Sequence, residues 1–423
     1  MQLKFTSTAA VLLCSTLVMA DGVYRDGLGA ISVGRGGTNI AFSDNGQMIM
    51  DNPAGMSNVD STLIGVGVDM LFTDLEYADS DNSRRSGHNN PFPVGQATFI
   101  TTSEDGRWGL GFGVYSQAGF GAQYDLNGPA PFTGERPYKS LGAMARVLPA
   151  LSYRVSDRFT VGATLGVAVS HMELEGPYFL QGPNPFAGTP LLLDMQSTGA
   201  ALSWSVGMQY QLTPRTRIGL NYLGETDFNM NGNTKVDIPG LGSARFDSTL
   251  GVTWPRTLGI GLQHQCNEAT TLSCDVIWAD WSSAFDQMDL QLSSPNDPTV
   301  AGVTGTAPFV DQFPLRWRDT ISVRLGLERQ IADERVVRTG YVYHQNPIPS
   351  STLTPFIQAT LEHAVSVGYG WKLGNSWRAD VAYQFSFGSP QSTGTSAFVG
   401  SDFDNSKVWT SAHWFLIELT HQS

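Results

Sequence analysis

The 423-residue chain is short of charge: Asp, Glu, Lys and Arg make up 15% of it, against about 25% in ordinary soluble domains. It also lacks any apolar run of about 18 residues, so no transmembrane helix is expected. A membrane role must then rest on strands, the only other structure that satisfies its backbone in lipid. Positive charge is scarce, with 25 Lys and Arg against 38 Asp and Glu, and the formal net charge of −13 argues against nucleic acid as a partner. Catalytic signatures are missing too. There is no Gly-x-Ser-x-Gly elbow and no Walker loop, and the 7 His show neither His-x-x-x-His nor His-Glu-x-x-His spacing. No enzyme, cofactor or metal site is therefore expected. The Gly-x-Gly pairs at 65/67, 109/111 and 259/261 fall inside strand patterns, where they read as small faces.

Cysteine is nearly absent, with 3 in all. The first lies in a leader with a signal-peptide layout: Lys4, an apolar stretch from Ala9 to Val18, and Val18-Met19-Ala20 before Asp21. Cleavage after residue 20 leaves Cys266 and Cys274, compatible with an oxidising compartment. They flank a short turn, and the register decides whether they bond or stay free thiols.

What the chain does have is period two. Phe159, Val161, Ala163, Leu165, Val167 and Val169 share one face, against Thr160, Gly162, Thr164, Gly166, Ala168 and Ser170 on the other. The same alternation runs through 202–210, 320–328 and 377–387. A soluble sandwich also alternates, so the connections must decide. Short connectors at 103–106, 156–157, 213–215, 267–270, 332–334 and 374–376 alternate with long Gly/Pro-rich stretches near 78–91, 119–139, 175–195, 231–255, 286–316, 346–360 and 389–408. Short periplasmic turns against long extracellular loops mark an outer-membrane barrel. The fold expected over 61–423 is all-β, an antiparallel transmembrane barrel of about fourteen strands. Trp108, Phe159, Trp317, Trp371, Trp377 and Trp409 stand at strand ends, where an aromatic girdle belongs.

Residues 21–60 break the pattern, with Gly34-Arg35-Gly36-Gly37 and Asn52-Pro53-Ala54-Gly55-Met56 and no sustained alternation. Pro53 cannot donate to a ladder, and a barrel of this size has an interior to fill. A folded plug inside the lumen is expected.

These motifs, with Leu148-Pro149-Ala150-Leu151-Ser152-Tyr153-Arg154, Trp278-Ala279-Asp280-Trp281-Ser282 and Trp317-Arg318-Asp319-Thr320, resemble the FadL-like family of outer-membrane transporters of long-chain fatty acids and hydrocarbons. The resemblance spans the mature chain. It implies a 14-stranded barrel with an N-terminal hatch carrying Asn52, Pro53 and Ala54, and passive uptake of a hydrophobic compound. It further implies capture by outer loops, hatch rearrangement and sideways exit through the wall at a kinked early strand. The chain departs from the usual aromatic ending of such barrels, finishing Leu419-Thr420-His421-Gln422-Ser423.

Burying an acyl methylene is worth roughly 0.8 kcal/mol, which gives capture without many hydrogen bonds. Phe120, Tyr124, Leu126, Phe132 and Tyr138 in the 119–139 stretch are candidate substrate contacts, or else close that loop on itself. Gly109, Gly111 and Gly113 share one face of the third strand and form a candidate wall opening, or else make room for the hatch. Asp69, Arg146, Arg324, Glu328, Arg338, Arg378 and Asp380 should face the lumen, pairing with one another or with the hatch, or greeting a substrate carboxylate. Expected partners are the hydrophobic substrate and the outer-membrane lipid and lipopolysaccharide around a monomer. The alternatives are an outer-membrane lipid hydrolase, a general porin and an adhesin.

Overall fold

The computed structural model describes residues 23–400 and 402–423, so the expected leader lies outside the described residues. Fourteen antiparallel strands close into a barrel. β1 (Leu63–Ala78), β2 (Phe92–Thr102), β3 (Trp108–Asn127), β4 (Glu135–Ser156), β5 (Phe159–Phe179) and β6 (Pro190–Thr213) are single pieces. The next four strands are each in two: β7 (Thr216–Leu223, Thr226–Ile238), β8 (Gly242–Trp254, Thr257–Asn267), β9 (Thr270–Ala279, Gln287–Ser293) and β10 (Phe309–Pro314, Thr320–Ala332). β11 (Arg335–His344), β12 (His363–Leu373), β13 (Trp377–Phe387) and β14 (Lys407–Gln422) complete the wall. β14 pairs with β1 from Leu63↔Gln422 to Ala78↔Lys407, which closes the sheet.

The period-two pattern sets which face meets which solvent. In β5, Leu165 is 62% exposed and Val167 46%, while Thr160, Thr164 and Ser170 are buried. An apolar face turned outward and a polar face turned inward is the arrangement that lipid outside and a filled lumen inside require. No helix among the described residues is long and apolar enough to cross a membrane.

Two details differ from the sequence reading, and a third, which it left open, is decided. The 119–139 stretch is mostly strand: β3 and β4 stay paired as far as Asn127↔Glu135, so only 128–134 is loop. Above the bilayer the backbone ladder continues although no lipid enforces an apolar outer face, so the alternation fades before the strand does. Trp317 is not in a girdle; it is 3% exposed and turns inward. Cys266 and Cys274 are both free, because the register sets Cys274 opposite Leu262, not Cys266.

Two segments fold inward. The β11–β12 connection buries Leu353, Phe356 and Ile357. It is tied down by bonds from Ser140 Oγ to the Phe356 carbonyl and from Tyr124 Oη to Gln358 Oε1 at 2.9 Å. The break in β9 is a short helix, Trp281–Ala284, whose Trp281 is fully buried.

Candidate functional site

The segment before β1 sits inside the barrel as a hatch. It holds helices α1 (Gly29–Gly34) and α2 (Met48–Asp51) and a 3-10 helix over Pro53–Asn58. α1 lies against β11–β14, and the 3-10 helix against β2–β6. Elements this short are marginal alone, so side-chain and wall contacts must hold them.

Arg35 is the first anchor. Its guanidinium is fully buried, grips both oxygens of Asp44 at 2.7 and 2.9 Å, and donates to Thr38 O and Asn39 Oδ1. Its plane lies 3.3 Å from the Phe42 ring centroid. Burial pushes the Asp44 carboxyl up, but Arg35 outweighs it and holds Asp44 well below the usual carboxylate range. The next residues turn back on themselves: Gly36 has φ +69°, and a Cβ there would lie 2.7 Å from Leu325 O of the wall. Asp51 behaves differently. Burial pushes it to about 6 despite the bond from Asn39 Nδ2 at 2.7 Å.

Asn52 is the second anchor. Its Oδ1 caps the 3-10 helix at Ala54 N, 3.2 Å, while Nδ2 donates to Ile40 O at 2.8 Å and to Met208 O of β6 at 3.0 Å. Pro53 follows at the first helical position, where its missing N–H costs nothing. Ala54 is fully buried against Gly162 of β5. The motif therefore links two hatch elements to the wall.

Gly109, Gly111 and Gly113 face this assembly. A Cβ on Gly109 would lie 2.9 Å from the Met56 carbonyl carbon, and on Gly111 2.4 Å from Met56 Sδ. One on Gly113 would meet the Tyr115 ring. Among the lumen arginines, Arg338 pairs with Glu328 at 2.6 Å and Asp380 at 2.8 Å, and Arg378 with Asp380 at 2.9 Å. Arg324 donates to Gly37 O of the hatch. Arg146 stands apart, bonded to Ser203 Oγ at 2.8 Å.

The wall itself has a window. β2 pairs with β1 up to Phe92↔Leu71 but with β3 only as far as Gln96↔Tyr115. There β3 bulges between Ser116 and Ala118 in its ladder with β4, and a bulge bends the strand that carries it. Phe92–Gly95 thus have no ladder on the β3 side, and pairing across the gap resumes only above, at His88 N to Gln123 O. The N-terminal segment closes the window from within. Tyr24 bridges Ala118, Arg25 N donates to Gln117 O, and Val23 O accepts from Gly119 N. Arg25 is held by Asp69 and lies over the Trp414 ring; Asp26 is held by His344 and Gln384. A cavity of ≈120 Å³ at the window is lined by Tyr24, Leu71, Leu75, Phe120, Phe356 and Trp414.

Of the candidate contact residues, Phe120 reaches this cavity. Tyr124, Leu126, Phe132 and Tyr138 are 8% exposed or less, and Tyr124, Leu126 and Tyr138 lie in the large apolar cluster above the hatch. Sequence reasoning missed Tyr24, Trp254, Phe285 and Phe356. The Trp278–Ser282 motif stood out, but nothing in it signals that Trp281 turns inward. Among the described residues no group of three His, Cys, Asp or Glu side chains is placed to hold a metal.

The family model for outer membrane protein transport proteins (OMPP1/FadL/TodX) matches residues 11–408. No curated protein sequence matches the chain. Among solved structures, the toluene transporter TodX of P. putida is 19% identical, with a TM-score of 0.77 over 94% of this chain and 99% of that one. The toluene transporter TbuX of Ralstonia pickettii is 20% identical, with a TM-score of 0.74 over 94% and 98%. A Pseudomonas aeruginosa FadL homologue is 17% identical, with a TM-score of 0.76 over 95% and 99%. At these identities the structural likeness speaks for the fold.

Proposed function

The chain belongs to the OMPP1/FadL/TodX family of outer-membrane transport proteins, and from that premise we propose that its cargo leaves sideways, through the window between β2 and β3. The family makes it an outer-membrane channel for hydrophobic compounds and not an enzyme. Cargo enters from the outer loops into the apolar cluster above the hatch, passes the cavity beside Phe120, and emerges into the bilayer when the N-terminal segment swings off β3. The hatch anchored by Arg35 and Asn52 stays in the lumen and blocks the aqueous path, so a lipophile moves without an ion leak. Long-chain fatty acids and small hydrocarbons both suit such a route.

The observation that carries this reading is the gap in the β2–β3 ladder, covered from within, among the described residues, by Val23, Tyr24 and Arg25. A backbone edge left unpaired at this depth is tolerated only where protein or cavity covers it. Deleting Gln117, the bulged residue, restores the β3–β4 register and straightens β3, which should narrow the window. Uptake of a hydrophobic probe into proteoliposomes should then fall at least tenfold, while heat-modifiable migration on a gel shows the barrel still folded. Undiminished uptake by the folded variant would sink the lateral route. A general porin would instead conduct ions freely whatever hydrophobic ligand is added.

A further inference from the structure

Above the hatch, where β7–β10 are broken, five aromatic side chains meet. Tyr24 lies 5.8 Å from Trp254 and 5.2 Å from Trp281, ring centre to ring centre. Trp281, Phe285 and Trp317 stand 4.8–5.0 Å from one another. Trp254, Trp281, Phe285 and Trp317 are all buried. Trp254 and Trp281 thus offer a surface on which one further ring packs at aromatic-pair distance. The ring now there belongs to Tyr24, whose hydroxyl donates to Pro255 O at 3.1 Å. Tyr24 rides on the N-terminal segment, attached to β3 by the Tyr24–Ala118 bridge, two flanking backbone bonds and the Arg25 guanidinium bond to Ser116 O.

The polar groups around this cage are unbalanced. Arg146 is fully buried and its Nη atoms reach only neutral acceptors, Ser203 Oγ at 2.8 Å, Thr226 Oγ at 3.4 Å and Met144 Sδ at 3.9 Å. Thr226 sits opposite Trp254 in the ladder, which sets the guanidinium beside the cage. Arg25, Arg35, Arg338 and Arg378 all pair with carboxylates, but among the described residues none is paired with Arg146. Arg146 Nε, Trp254 Nε1 and Trp281 Nε1 are buried donors with no acceptor. A buried cation without a counter-charge is strongly unfavourable, and buried donors without a partner call for an acceptor.

We propose that the cage is a binding site for aryl carboxylates, with the ligand's ring taking the place of Tyr24 and its carboxylate pairing with Arg146. The planar guanidinium suits a carboxylate, and the rings suit an arene. The Tyr24 phenol then fills the cage until the ligand's ring displaces it. This rests on the channel reading above and narrows its cargo.

The test uses full-length protein in detergent and three probes: 4-methylbenzoate, its neutral counterpart p-xylene, and octanoate. By calorimetry 4-methylbenzoate should bind at least tenfold tighter than either of the others. Arg146→Met should lose tenfold or more for 4-methylbenzoate and change p-xylene less than twofold. Arg146→Lys, which keeps the charge but not the fork, should fall between, and serves if the Met variant does not fold. Tyr24→Gly should tighten 4-methylbenzoate by removing the competitor. If p-xylene binds as tightly as 4-methylbenzoate, or the Arg146 variants bind it normally, the carboxylate assignment fails; if octanoate binds best, the ring assignment fails. Proteoliposome uptake of p-xylene separates the two readings, since its loss would fault the channel, whereas binding alone decides the cage.

Discussion

Replacing Asn52 with Ala should free the hatch while leaving the barrel standing. The side chain makes one accepted and two donated bonds, to Ala54 N, Ile40 O and Met208 O. Loss of the cap is worth about 1 kcal/mol. Each donated bond is worth about 0.5–1.5 kcal/mol net, and Ile40 O keeps a second donor in Gln209 Nε2 at 3.1 Å, so it is not orphaned. The sum is about 2–4 kcal/mol, all of it in hatch docking. At 1.4 kcal/mol per decade, the open population of the hatch rises roughly 30- to 1000-fold. Hydrogen exchange read by mass spectrometry on the protein in detergent would show this as lost protection across residues 38–58. Peptides from β5 and β13 give the internal reference. Asn52→Asp would set a buried carboxylate against the Ile40 and Met208 carbonyls, so its loss should be at least as large as that of Asn52→Ala. Unchanged protection in Asn52→Ala would refute the view that this side chain ties the two hatch elements to β6.

A bulkier wall should have the same effect from the other side. In Gly207→Val a Cβ would lie 2.1 Å from Asn52 Oδ1, so the hatch should be displaced and ion conductance in planar bilayers should rise; silent channels would count against the fit. Acid should loosen the Arg35 clamp. Asp44 is held low in the folded protein, so its contribution is complete above the ordinary Asp value near 3.8 and is lost as pH falls below it. Asp51, pushed to about 6, works in the opposite sense: ionising it costs stability as pH rises from about 4 to 6. Asp51→Asn should therefore flatten hatch exchange across that window, and an unchanged pH profile would contradict the burial argument. Removing Arg338 leaves the buried Asp380 paired with Arg378 and Glu328 with the longer Arg35 contact, so Arg338→Met should lower thermal stability by less than the roughly 3–5 kcal/mol of a fully broken buried pair. Finally, Cys266 is exposed and free, so maleimide should label it without prior reduction.

The sequence carried the barrel further than the site. Leu165 and Val167 against Thr164 and Ser170 were enough to assign lipid and lumen faces, because a strand's side chains alternate whatever its neighbours are. Short connections such as Ser156-Asp157 placed the periplasmic rim for the same local reason. The Asn52-Pro53-Ala54 motif was visible, and its capping role follows from residue type and order. Local rules end there. That Met208 O is the partner of Asn52 depends on the register of β6 against a segment some 150 residues earlier. Trp317 read as an interfacial aromatic and Trp281 only as part of a motif, yet both turn inward where β7–β10 are broken. The window is not at Gly109–Gly113, which lie in a regular ladder; it is at Gln117, a residue whose type gives no sign of a bulge. Sequence alone thus determined which faces meet lipid, which connections are short and that a non-strand segment precedes the wall, since these depend on neighbours along the chain. Tertiary structure decided where the wall parts, which arginine is left without a carboxylate and which rings surround Tyr24, because each of these is set by which strands close around which part of the hatch.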